Sequence, residues 1–203
     1  MTYRVISADT HPVGATIPFS VGAPLAETDL TAAAQPEPTS GWTVVVALNR
    51  WILYAAMLLA AGSALFLVAF TVSLALVERT ARVGRLAAMV GAVAYVLAIG
   101  FGGAEMVLGG GGAMFQPDGW SRGLSSTLMP SAAIGVPAML LLWWALGGDG
   151  QHPRSTALLL GALAAIGSFL VTGHAATAAP VWLMATMVGL HLTATAFWFG
   201  ALY

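Results

Sequence analysis

The sequence predicts an all-α membrane protein of about five transmembrane helices, preceded by a short β-hairpin. Three observations predict it. Of the 203 residues, 59% are hydrophobic and only 7% are charged, against roughly one quarter charged in a soluble domain. After Trp42 the apolar runs repeatedly reach the ~20 residues needed to cross a ~30 Å hydrocarbon core. Before Gly22 the pattern alternates instead, with the period of a strand.

Through residue 21, "TYRVIS", a polar turn "ADTHPVG" and then "ATIPFSV" read as a hairpin. A lone hairpin is marginally stable in water, so residues 1–21 are expected to belong with further strands. Residues 22–41, rich in Ala, Pro, Thr and acids, read as a linker. Residues 42–203 form the membrane unit, with spans expected near Trp51 to Leu76, Leu86 to Leu108, Leu128 to Leu146, Ser155 to Thr172 and Val181 to Tyr203. The segment "WTVVVALNR" makes the first apolar run too long for one upright crossing. It is expected to lie at the interface or to tilt, with Arg50 near the outer headgroups.

The arginines orient the chain. The expected loop "VERTARVGR" holds Arg79, Arg82 and Arg85, and the positive-inside rule assigns it to the cytoplasm. The hairpin, residues 109–127 and "GHAATAAP" are then outside, and "GGDGQHPR", with His152 and Arg154, is inside; Arg122 in an outer loop opposes this order weakly. No signal peptide precedes the hairpin and no polar flank closes the last span, so the chain is expected to be cut from a longer protein at both ends.

Several function classes are excluded. Seven arginines against eight acids, with no lysine, leave no basic patch for nucleic acid. The absence of cysteine excludes thiolate sites and leaves soft-metal chemistry to Met and His. "GGGG" at 109–112 lacks the Lys-Ser/Thr of a phosphate-binding loop, and no Ser, His and acid stand at a spacing that suggests a triad. No enzymatic activity is expected.

His191 lies ten residues into the fifth expected span, about 15 Å deep, where an ionisable side chain marks a functional hypothesis. Met184, Met187 and His191, spaced three and four apart, fall on one helix face, which Thr195 and Trp198 extend. Thioether and neutral imidazole suit Cu(I), and a ladder of them is a candidate relay. Ordinary packing also uses a Met stripe, and a buried His also bonds to a neighbouring helix. Glu105, about 30 Å along a helix from Arg85, is expected at the outer surface, level with His174. The two are a candidate mouth, with Met106 and Met114 nearby, although an interfacial Glu is also simply solvated.

"YRVISADTHPVGATIPFSV" resembles the last hairpin of CopC, a periplasmic copper-binding barrel of Greek-key type. The resemblance implies that Asp9 and His11, the D-x-H of the turn, are Cu(II) ligands; such a site also uses the mature N-terminal histidine of the barrel, most of which is expected to be missing ahead of Met1. "AGSALF", "GHA" at His174 and "HLTATAFWFGAL" around His191 resemble CopD, the copper resistance protein of the inner membrane. Together they resemble a CopC–CopD fusion. That likeness implies copper transport across a bacterial inner membrane, with Cu(II) at the hairpin and Cu(I) among the spans. It also implies a periplasmic N-terminal segment, and the bilayer and periplasmic copper-binding proteins as partners. Two other readings stand beside it: a b-type cytochrome with His174 and His191 as haem ligands, and a non-transporting copper chaperone for oxidase assembly.

Overall fold

The computed structural model of the chain describes residues 2–6, 12–17, 22, 41–107, 110–148 and 154–202. Two strands, β1 (Thr2–Ile6) and β2 (Pro12–Thr16), pair antiparallel with Thr2 opposite Thr16 and Ile6 opposite Pro12. Asp9 and His11 lie outside the described residues, as do His152 and most of the expected linker. The helices follow: α1 (Gly41–Ala69), α2 (Leu74–Met106), α3 (Gly110–Ala113), α4 (Pro117–Leu124), α5 (Leu128–Ala145), α6 (Ser155–Gly167), α7 (His174–Thr177) and α8 (Val181–Gly200).

The expected five spans become four. Among the described residues α1, α2, α5 and α8 are long and apolar enough to cross a membrane, while α6 is an apolar helix of 13 residues. α6 stops at Gly167-Ser168, where the chain passes into tight turns, Phe169 N–H to Ile166 O and Leu170 N–H to Gly167 O. Ser168 Oγ donates to the Ala165 carbonyl, the local bond by which serine competes with the helix ladder.

Two further expectations are corrected and one is narrowed. "VERTARVGR" is not a loop but part of α2, whose 33 residues extend about 50 Å. Ala, Leu, Arg and Glu are good helix formers and no proline interrupts them, so the backbone stays helical after the hydropathy has changed. The interhelical turn instead occupies residues 70–73. Of the two placements expected for "WTVVVALNR", the separate interfacial segment is not seen: it is the continuous beginning of α1, whose 29 residues exceed one upright crossing and leave the tilted alternative open. The outer loop 109–127 contains α3 and α4; Pro117 opens α4, Asp118 stands in its first turn and Arg122 in its last, each on the side the helix dipole favours.

α2 packs on α1, α5 and α4, and α1 also meets α6 and α8. Lipid tails provide no hydrophobic drive between helices, so small residues that allow close approach make the interfaces. Ala56, Ala60, Ala61, Ala64, Ala88, Ala138, Ala162 and Ala165 are buried, whereas Trp51, Leu86, Val93, Leu160, Trp182 and Leu190 are exposed. The crossing of α1 and α8 is closest at Gly62 and Gly200: a Cβ on Gly62 would collide with the Ala196 carbonyl, and one on Gly200 with that of Gly62. α4 is pressed onto α2 in the same way, through Gly119 and Gly123 against Gly103 and Ile99.

Candidate functional site

Polar side chains that the apolar runs conceal meet in the half of the bundle nearest α3 and α4. Asn49 of α1 is buried and its Nδ2 donates to the Ala94 carbonyl of α2 at 3.1 Å. Tyr95 of α2 reaches Ser168 Oγ at 2.5 Å. Ser168 Oγ donates to Ala165, so the Tyr95 hydroxyl is the donor of this pair. The break after α6 frees the Ser168 carbonyl, which accepts the Ser131 hydroxyl of α5 at 2.7 Å. Irregular backbone inside a membrane is tolerated where protein groups satisfy it, as here. Gly135 makes room for Tyr95, since a Cβ there would lie 2.5 Å from the ring carbon Cε2.

Beside this network lies a cavity of about 100 Å³, with Asn49, Arg50, Tyr54, Tyr95, Ser131 and Thr172 as its polar wall. Phe169 stacks edge-on against both Tyr54 and Tyr95 in the same wall. Val46, Arg50 and Tyr54 also line a more open hollow of about 540 Å³, where they are joined by Thr43, Trp51 and Glu105. An open vestibule thus shares a wall with an inner chamber that has room for a few waters.

The expected site residues are distributed over two regions. Glu105 of α2 lines the vestibule together with Arg50 of α1. His174 opens α7, two residues after the cavity-lining Thr172. Met184, Met187 and His191 share one face of α8, and all three are exposed. No side-chain hydrogen bond joins His191 to another described residue, and neither hollow includes a residue of α8. Met114 packs its thioether against Gly100 beside Trp120. Among the described residues no three His, Asp or Glu form a cluster that could hold a metal ion.

Residues 39–182, more than two thirds of the chain, match the family described as copper resistance protein D-like, N-terminal domain. The chain belongs to that family. It is a multi-pass membrane protein of copper resistance. No curated protein and no solved structure matches it.

In this copper resistance protein D-like chain, the matched domain ends as α8 begins, so the chamber and vestibule lie within it and the Met–His stripe beyond it. The chamber offers hydroxyl, amide and guanidinium groups, which suit water and anions; the Met–His stripe that suits Cu(I) is on α8. Sequence reasoning singled out Glu105 but missed Asn49, Tyr95, Ser131 and Ser168. Their signal was the polar residue within an apolar run, which was applied to His191 alone.

Proposed function

We propose that this chain carries copper across the bacterial inner membrane and that its amino-terminal segment is periplasmic. The match to the copper resistance protein D-like family over residues 39–182 is the observation on which the proposal rests. Asp9 and His11 are Cu(II) ligands on the trailing hairpin of a CopC-like Greek-key domain, and residues 22–41 tether it to the membrane unit. Glu105 and His174 form the mouth. Arg50 in the vestibule wall opposes a bare cation, and the opposite charge of Glu105 in the same hollow offsets it. An external one-electron reductant, which the chain itself does not supply, must convert Cu(II) to Cu(I) before Met184, Met187 and His191 pass it inward. Because they are on an exposed face, that relay works only where a second donor-bearing helix covers α8. The chain performs no catalysis in this scheme, and periplasmic copper-binding proteins deliver the metal.

The test is copper accumulation in sealed vesicles containing the purified protein. Vesicles with the wild-type chain should accumulate copper above empty ones, Glu105→Gln should slow the uptake, and His191→Ala should abolish it. Wild-type vesicles no better than empty ones would eliminate transport and favour a chaperone role. A haem absorption band in the purified protein, lost in His191→Ala, would favour a b-type cytochrome instead.

A further inference from the structure

The end of the bundle opposite the vestibule holds Arg79, Arg82 and Arg85 on α2 and Arg154 just before α6. Two of these have structural partners. Arg85 Nε donates to the Trp143 carbonyl at 3.2 Å and its guanidinium lies 4.8 Å from the centroid of that Trp ring. Arg154 holds Trp144 likewise, its Nη1 donating to that carbonyl at 2.8 Å and its guanidinium lying 4.0 Å from the ring centroid. Both satisfy carbonyls at the C-terminal end of α5, where the helix dipole favours cations. Arg82 is exposed, one turn from Arg85, and bonds to no other described residue.

Arg82 and Arg85 line one hollow of about 490 Å³ between α2 and the end of α5. The rest of the hollow changes character along α2. Glu78, Arg82 and Arg85 are at its outer, polar end, and Leu86, Met89 and Trp143 continue it toward the bundle centre. Met89 also begins a second, mostly apolar hollow that runs on past Val90 and Val93 to Leu97, with Ile52 and Asn49 of α1 on its other side. From Arg82 to Leu97 is about 22 Å along the helix, the reach of an acyl chain. Trp143 and Trp144 mark the headgroup level, where interfacial aromatic residues gather.

We propose that this groove is a binding site for an anionic phospholipid, its phosphate held between Arg82 and Arg85 and one acyl chain lying over Leu86, Met89 and Val93. The free guanidinium of Arg82 provides the charge, and Arg85, fixed over Trp143, provides the second donor. Glu78 in the same wall repels the phosphate, which makes the site weaker than two arginines alone would. The assignment does not depend on the copper reading.

Native mass spectrometry of the full chain, released from micelles with equal amounts of phosphatidylglycerol and phosphatidylcholine of matched chains, tests it. The wild-type protein should retain phosphatidylglycerol preferentially. Arg82→Gln should reduce that preference about fivefold, the effect of one arginine at a charged interface, and Glu78→Gln should increase it. Arg79→Gln removes a charge from the same helix outside the hollow and should have little effect. Equal retention of both lipids by the wild type, or an Arg79→Gln loss as large as that of Arg82→Gln, would overturn the site. Displacement of the lipid by an equimolar amount of inorganic phosphate would overturn the lipid assignment, because the acyl chain would then contribute nothing.

Discussion

Tyr95 donates to Ser168 Oγ and Ser168 Oγ to the Ala165 carbonyl, while Ser131 separately satisfies the Ser168 carbonyl. The two outer members of this network therefore differ in what their removal leaves behind. Tyr95→Phe deletes one donor and leaves Ser168 Oγ still bonded to Ala165, a loss of about 0.6–1 kcal/mol for a hydrogen bond between membrane helices. Ser131→Ala strands a buried carbonyl at a break in the helix, which costs about 1–3 kcal/mol. Unfolding of the purified protein in mixed micelles should rank Ser131→Ala as the more destabilising; the opposite order would mean that the carbonyl has another donor. The pairing of these residues was not legible beforehand. Ser131 and Ser168 are 37 residues apart and Tyr95 and Ser168 are 73 apart, so each looked like an ordinary small or aromatic residue in an apolar run. His191 stood out because imidazole is rare at that depth, but its stripe could be read only as a face and not as the neighbour that face meets.

At the scale of elements, the apolar runs located the helices well and their ends poorly. Hydropathy marks the part of a helix that sits in lipid, whereas the helix ends where the backbone loses its ladder. Hence α2 begins at Leu74, ahead of the expected Leu86, and α6 ends at Gly167, before the expected Thr172. The α1–α8 crossing was equally hidden, since Gly62 lies among many small residues and only the structure pairs it with Gly200. Adding a methyl at either glycine forces backbone apart, an overpacking cost of about 1–3 kcal/mol. Gly62→Ala and Gly200→Ala both violate the same contact, and once one methyl has forced the helices apart the second costs less, so the double variant should be little less stable than either single one in the same micelle assay. Strict additivity would show that the two glycines act at separate places.

At the scale of the whole molecule, the antiparallel order of the long helices gathers charge at one end. α1 and α5 finish where α2 and α6 begin, and there Arg85 and Arg154 grip the adjacent tryptophans of α5. Glu105, Arg50 and α4 are at the other end. The positive-inside rule then favours the arginine end as the cytoplasmic one, with Arg50 and Arg122 as two charges against the four of Arg79, Arg82, Arg85 and Arg154. Because the chain contains no cysteine, a single introduced thiol reports its own side of the membrane without background. Ser121 on α4 and Glu78 on α2 are both exposed and lie at opposite ends. A membrane-impermeant maleimide should label Ser121→Cys in intact cells, from which any outer membrane has been removed, and should label Glu78→Cys only after the inner membrane is opened. Labelling of Glu78→Cys in intact cells would invert the molecule, put the vestibule of Glu105 on the cytoplasmic side, and make the vestibule an exit instead of a mouth.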